Sequence, residues 1–275
     1  MKKRGFTLAE VLTTLGIIGV IAAMTIPALV TNGKSNANAA KLAVCISNLE
    51  NAFSTAVAQE GVDDLTKTRM WTTIEGDGVF GDSSQAVRNR FVGELGQYLS
   101  TRGTITSGGD LVKAYYGANE GFYLMTNNGG TDKTNGAHGM DLPGSGSVFP
   151  IMLKNGAVAW FRVYKDGHSN IEEGRTRDDI IASGSNFFTN TADVFIDVNG
   201  KTGPNTYGRD VFVFLVGDTG TLYPTGGSDT YFGENRWDTA GNMFSCTDGD
   251  KSANTGTAGW GCTGRVVEQD FKITY

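Results

Sequence analysis

Two hydrophobic patterns follow one another in the first sixty residues of the chain. From Phe6 to Val30 the sequence is apolar for twenty-five residues, and Glu10 is its one ionisable member. A helix of that length spans about 37 Å, enough to cross the ~30 Å hydrocarbon core of a bilayer. The pattern therefore predicts a membrane-spanning helix over residues 6–30.

The helical period continues beyond this span in amphipathic form. Apolar residues recur at spacings of three and four, namely Leu42, Ile46, Leu49, Phe53 and Ala56 with Val57. Gly61 supplies a stop signal. We expect one helix from Phe6 to about Glu60, in which residues 31–61 continue the span and pack on a globular head of residues 62–275. Pro27 lacks a backbone donor and predicts a kink.

The head begins with helical periodicity and then changes to short strands. A second amphipathic helix is expected from about Ser84 to Leu99, with a serine cap. The strand candidates are Val148–Leu153, Ala157–Tyr164, Asp193–Val198 and Asp210–Val216, with Gly220–Pro224 and Arg265–Thr274 as weaker ones. Successive strands without intervening helices indicate an antiparallel sheet. The expected fold class is α+β, a long N-terminal helix packed on a C-terminal antiparallel sheet.

Charge sets the orientation of the predicted span. Lys2, Lys3 and Arg4 precede it directly, which holds the N-terminus in the cytoplasm and sends the head across the membrane. No basic run follows, and the formal net charge is −6. This balance disfavours a nucleic-acid-binding surface. The lipid bilayer is the first expected partner.

A cleaved signal peptide is the alternative interpretation of the same segment. Ala37-Asn38-Ala39 offers an A-x-A cleavage site. However, the apolar stretch is roughly twice the length of an ordinary signal core, and the site lies well beyond its end. A spanning helix is therefore favoured.

The presence of Glu10 in the predicted span requires a physical explanation, because a charged side chain raises the free energy of inserting a membrane helix by on the order of 3 kcal/mol. The span contains no cation that could pair with it. Cleavage between Gly5 and Phe6 would create a new α-ammonium group. A neighbouring copy could bring this ammonium to Glu10, which would pair the buried charges between subunits.

The segment Gly5-Phe6-Thr7-Leu8-Ala9-Glu10, after Lys-Lys-Arg and before the apolar run with Pro27, resembles the N-terminal signature of type IV prepilins and type II secretion pseudopilins. The resemblance implies a pilin-like fold and removal of the leader 1–5 by a prepilin peptidase. It further implies N-methylation of Phe6 and recruitment by an inner-membrane assembly platform. Other pilin or pseudopilin subunits would then join it in a periplasmic or extracellular filament.

Two function classes follow from this resemblance. The first is a structural filament subunit of a type IV pilus or a type II secretion system, which the chain does not distinguish. The second is a minor pilin whose head binds a surface, DNA or a secreted substrate. An enzyme is disfavoured, because the chain has two histidines and three cysteines and no zinc-ligand or nucleophile motif.

Two of the cysteines suggest a cross-link. Cys246 and Cys262 lie sixteen residues apart in a Gly/Thr/Asp-rich stretch, a spacing that suits a loop-closing disulfide in an oxidising compartment. Two separately buried thiols are the alternative. Cys45 falls on the predicted long helix, where a small packed residue is favoured over a reactive one.

The stretch between the last two clear strands is rich in oxygen-bearing side chains. Asp197, Asn199, Asn205 and Asp210 could wrap a calcium ion. Lys201 and Gly208 occupy positions where an EF-hand needs ligands, so this is not an EF-hand. The alternative is a long Gly/Asn turn held by Asx bonds, with no cofactor. Calcium is known in pseudopilin heads, and the resemblance therefore keeps it open.

Overall fold

A computed structural model gives the structure of residues 7–74, 84–106, 111–117, 122–125, 131–132, 148–163, 191–203, 205–227, 237–238, 245–247 and 259–273. The predicted leader, with Gly5, and the predicted methylation site, Phe6, lie outside these described residues. The predictions on Tyr164 and Thr274 also lie outside them.

The first element is a single helix of 53 residues, α1, which runs from Leu8 to Glu60. Gly61 ends it in the left-handed conformation (φ 67°), and its N–H donates to the Val57 carbonyl. Glycine adopts this conformation at no steric cost, which explains the stop. The predicted long helix is confirmed. Pro27 lies inside it, and the kink there stays a prediction.

The head contains several short helices in addition to its strands. They are a 3-10 turn Leu65–Lys67, α2 Arg69–Thr72, α3 Gln85–Leu95, α4 Leu111–Tyr116 and α5 Cys262–Glu268. Ser84 caps α3 by accepting from the Val87 N–H at 3.4 Å. The second predicted helix is therefore confirmed, although it ends at Leu95 and not at Leu99.

The sheet of the head has six antiparallel strands in the order β1-β4-β5-β6-β8-β9. Their bounds are β1 Thr101–Thr104, β4 Val148–Leu153, β5 Val158–Val163, β6 Ala192–Asp197, β8 Val211–Val216 and β9 Leu222–Pro224. A small second sheet joins β2 Phe122–Met125, β3 Thr131–Asp132 and β7 Asn205–Thr206, in which β2 and β7 are parallel. The α+β class with its antiparallel sheet is confirmed.

Alternation along the strands gives the large sheet two apolar faces. One face carries Phe149, Phe161, Val194 and Phe214, and it packs on α1 and α3 in the main core. The opposite face carries Trp160 and other side chains that are buried against α4, β7 and Trp260. The sheet is therefore covered on both sides, whereas the sequence analysis anticipated only the α1 side.

The α1 face within the main core follows the predicted spacing. Leu42, Leu49, Phe53 and Ala56 are buried, and the Phe53 ring contacts the Trp71 and Phe161 rings edge-on. Ile46 and Val57 are partly buried at its flanks. This face is the physical link between the stalk and the head.

The C-terminal strand predicted over Arg265–Thr274 is wrong, because Cys262–Glu268 forms α5. Its first turn lies so close to the β9 end that a Cβ on Gly264 would lie 2.5 Å from Gly226 and Gly227 backbone atoms. The Thr263 hydroxyl also accepts the Val213 N–H at 2.9 Å. These tertiary contacts override the local β-propensity of the valine pair at 266–267.

The two edge strands are irregular. On β1 the register to β4 shifts between Thr101 and Gly103, which is a bulge. The other edge, β9, has three residues and ends at Pro224, which has no N–H to donate. Neither edge presents a long regular ladder.

We predict that Gly264→Ala destabilises the head by about 1–3 kcal/mol, because its Cβ would overlap backbone that cannot move aside. Gly93→Ala is the matched control, since it lies within α3 with nothing within 4 Å of its Cβ position. It should gain about 0.5–1 kcal/mol from reduced backbone entropy. Thermal unfolding of both variants checks this, and equal melting temperatures would contradict it.

Candidate functional sites

The stalk begins with a capping box. Thr7 is the N-cap of α1, and its hydroxyl accepts the Glu10 N–H at 3.3 Å. In return the Glu10 carboxylate accepts from the Thr7 N–H at 2.8 Å and from its hydroxyl at 2.9 Å. Glu10 therefore lies in the first turn of α1, at the positive end of the helix dipole and four residues along the chain from Phe6.

The apolar residues that follow are not covered by the part of the chain that the structure describes. Large side chains from Leu8 to Val30 are exposed, with Leu15 at 60% and Met24 at 75%. The 18-residue window of highest mean hydropathy on α1 reaches 2.0, and no residue of it is buried. By length and composition this helix can cross a membrane. A surface of this kind is stable only in lipid or against other apolar helices.

Small residues interrupt this apolar surface. A Cβ placed on Gly16 or Gly19 would meet nothing within 4 Å. Close helix approach in membranes uses such positions, because they let two backbones come together. Glu10, Gly16 and Gly19 share a helix whose described side chains up to Ala37 are exposed or half-buried.

A second candidate site lies where β6, β7 and β8 meet at the second face of the large sheet. Asp197 ends β6, Asn205 begins β7, and Asp210 immediately precedes β8. Asn199 joins the two carboxylates, because its backbone N–H donates to Asp197 at 3.0 Å and its side-chain amide donates to Asp210 at 3.0 Å. The structure thus joins Asp197, Asn199 and Asp210 by hydrogen bonds, and Asn205 precedes Thr206, whose N–H donates to Asp210. We call these four residues the carboxylate–amide cluster.

Asp197 is held by three donors. One carboxylate oxygen accepts the N–H groups of Asn199 and Gly200, and the other accepts the Tyr116 hydroxyl at 2.6 Å. The Trp160 indole donates in turn to the Tyr116 oxygen at 3.1 Å. The bonds within 197–200 form the Asx turn that was the alternative to calcium.

Asp210 makes fewer contacts. Its carboxylate accepts the Thr206 N–H at 2.6 Å and the Asn199 amide at 3.0 Å. A carboxylate has about four acceptor positions, so Asp210 keeps about two of them and Asp197 about one.

Burial makes both carboxylates costly in their ionised form. Asp197 is fully buried and Asp210 is 8% exposed. Desolvation raises the pKa of each to about 7, even though the hydrogen bonds to both act in the opposite direction. A pair of buried carboxylates this close gains from a nearby positive charge.

Two amide oxygens in the cluster lack a hydrogen bond. They are Oδ1 of Asn199 and Oδ1 of Asn205, and both are buried. Asn205 as a whole is 2% exposed. A buried polar atom without a partner costs free energy, so each one calls for a ligand.

The cluster fits a hard cation by this test. Two carboxylates and two amide oxygens are the donor types that Ca²⁺ takes, and backbone carbonyls or water would complete its six to eight ligands. The described residues contain no group of three or more His, Cys, Asp or Glu side chains, which disfavours a transition metal there.

The cysteines occupy two separate places. A disulfide joins Cys246 to Cys262 and ties residues 245–247 to the start of α5, where the Arg265 guanidinium donates to the Cys246 carbonyl at 2.6 Å. Cys45 is a buried free thiol on α1 and accepts from the Asn155 amide at 3.3 Å. It fills the packing role that the sequence analysis expected.

The sequence analysis missed Tyr116 and Trp160 at the cluster. Tyr116 lies 81 residues before Asp197, and an aromatic residue on a short helix predicts only core. Asn38 was also missed, although its amide donates to the Arg209 carbonyl at 3.3 Å. No local signal in the sequence could have identified these long-range contacts.

The fold and the N-terminal segment define a class of protein, a stalk helix with a pilin-like α+β head. Residues 1–26 match the family model of the prokaryotic N-terminal methylation motif, the signature of type IV prepilin-like proteins. No curated protein and no solved structure matches the chain. The motif supports a processed, membrane-anchored protein of the pilin or pseudopilin kind.

Proposed function

We propose that this protein is a structural subunit of a filament of the type IV pilus or type II secretion class. The observation that carries the proposal is the methylation motif at residues 1–26, joined to a helix whose apolar surface is exposed up to Val30. Neither feature serves a monomer in water. Together they describe a subunit that is stored in a membrane and then assembled.

The exposed apolar surface gives the driving force for assembly. Each large apolar side chain contributes about 1.5–3 kcal/mol when it leaves water, so the stalk remains in the bilayer until other stalks replace the lipid. Lipid and protein are similarly apolar. Helix association then depends on close packing at Gly16 and Gly19 and on polar contacts.

Processing supplies the polar contact. Before processing, the protein crosses the inner membrane once, and the basic leader holds its N-terminus in the cytoplasm. Removal of residues 1–5 by a prepilin peptidase discards three cations, changes the formal net charge from −6 to −9, and leaves the amine of Phe6. N-methylation keeps this amine basic. Glu10 of one subunit then pairs with the amine of its neighbour.

We also propose that the carboxylate–amide cluster binds calcium. The support is the pair of buried amide oxygens without a partner beside two buried carboxylates that retain acceptor positions. The ion would reduce the cost of burying these charges. Its role in this protein would be to stabilise the head.

Intact mass of membrane-derived protein tests the processing. We expect a mass that corresponds to residues 6–275 with a methyl group, and an N-terminal sequence that begins at methylated Phe6. A protein that retains its first five residues would contradict the proposal. A start at residue 40 would support the signal-peptide alternative.

Substitution of Glu10 separates its charge from its capping role. Glu10→Gln keeps an acceptor for Thr7, because the capping box also accepts glutamine, but removes the charge. We expect this variant to insert and to be processed normally and to enter filaments poorly, as Glu10→Ala should. The readouts are immunoblots of the processed form and of sheared filaments.

Thr13→Ala is the matched control for Glu10. It removes one hydroxyl that bonds only to the Ala9 carbonyl of the same helix at 2.8 Å, and it should assemble normally. Normal filament incorporation of Glu10→Gln would refute the charge pairing.

Calorimetric titration of the full chain in detergent tests calcium binding. We expect one site per chain after EGTA treatment and dialysis, and weakening by at least about tenfold in Asp210→Asn. Asp63→Asn is the control, because this exposed carboxylate pairs only with Lys67 on the surface. Absence of a binding isotherm in the parent protein would overturn the calcium proposal.

A further inference from the structure

The loop that carries the carboxylate–amide cluster touches the stalk helix directly. The Arg209 carbonyl, next to Asp210, accepts the Asn38 amide of α1 at 3.3 Å. Tight local bonds fix this carbonyl relative to the cluster, since the N–H groups of Arg209 and Asp210 both donate to the Thr206 carbonyl. The Asp210 side chain holds the Thr206 N–H in return. Displacement of Asp210 would therefore displace the contact to Asn38.

A second connection runs through the β4–β5 hairpin. Gly200 follows the Asx turn of Asp197 and lies so close to the hairpin that a Cβ there would be 2.8 Å from the Gly156 carbonyl. The neighbouring Asn155 donates its amide to the Cys45 thiol on α1 at 3.3 Å. Burial raises the pKa of the Cys45 thiol.

Both connections reach α1 where the stalk enters the head. Ala39 is the first buried residue of the helix, and the described residues before it are exposed or half-buried. Asn38 lies one residue before this boundary, and Cys45 lies two turns after it. The cluster is therefore linked to the junction between the part of α1 that assembles and the part that belongs to the head.

We propose that a divalent cation in the carboxylate–amide cluster regulates this junction by clasping the head to the stalk helix at Asn38 and Cys45. This inference rests on the calcium site proposed above and assigns it a regulatory role. With the cation bound, the loop 197–210 is closed and both connections are held. Without it, the bonds through the ion are missing, the loop opens more often, and the head loosens on the stalk.

Cys45 is a native reporter of this opening. The other two cysteines form the disulfide, so alkylation without reductant labels Cys45 alone. The experiment follows the iodoacetamide labelling rate of the full chain in detergent by mass spectrometry, in EGTA and in calcium at ten times its Kd. If labelling requires loop opening and release of the ion, calcium should slow it about tenfold.

Two variants separate the site from the clasp. Asp210→Asn should label quickly at a rate that calcium no longer changes, and Asp63→Asn should behave as the parent does. Asn38→Ala removes one connection without altering the cluster. Because the connection through Asn155 remains, calcium should protect Cys45 in this variant less than in the parent but not lose its effect. By linkage, the calcium affinity should fall by a similarly small factor in the calorimeter.

The outcomes distinguish the two proposals. Calcium binding in the calorimeter with an unchanged Cys45 labelling rate would overturn the clasp and leave the site intact. No binding would overturn the site, and the clasp with it. If Asp210→Asn does not fold, Asn38→Ala still tests the clasp, because calcium protection equal to that of the parent would overturn the Asn38 connection that the clasp requires.

Discussion

The contact between one face of α1 and the large sheet holds the molecule together. Leu42, Leu49, Phe53 and Ala56 place this face against Phe161 and its neighbours on β4, β5, β6 and β8. Because the same helix continues without a break to Leu8, the position of every residue of the exposed stalk relative to the head depends on this packing. A defect in the core would therefore also affect the stalk.

Polar contacts add specificity to this apolar packing. Besides Asn38 and Cys45, Glu50 of α1 accepts the Leu222 N–H of β9 at 3.0 Å. These bonds are spread along the helix and reach three separate parts of the head. Their net contribution to stability is modest, about 1 kcal/mol each, but they fix the rotation and register of the head on the helix.

The elements that the sequence predicted well are those with a clear local pattern. Helix α1 repeats apolar residues with a helical period, whereas β4, β5, β6 and β8 are short, nearly continuous apolar runs bounded by turn residues, and local physics decides both patterns. The second face of the sheet was not foreseen, because its cover comes from α4, which is short and distant in sequence, and from Tyr207, which lies in a loop between two strands. Helix α5 was predicted as a strand because the contacts that favour the helix are also tertiary. Gly264 packs on the backbone after β9, and Thr263 accepts a hydrogen bond from β8.

The carboxylate–amide cluster was predicted in part from the sequence. Its four members stand within fourteen residues, so spacing alone grouped them. The burial of Asp197, its bond to Tyr116 and the unpartnered oxygen of Asn205 depend on which strands lie side by side. Sequence could therefore name the donors, but the fold determines how many acceptor positions remain for an ion.

The bulge on β1 and Pro224 on β9 have a consequence for crowding. In a polymer, heads are held side by side at high local concentration, a condition that favours strand pairing between neighbouring sheets. A kinked strand on one side and a proline on the other leave no straight row of free amides for such pairing. In the filament proposed above, edges of this kind would let neighbouring heads separate again after close contact.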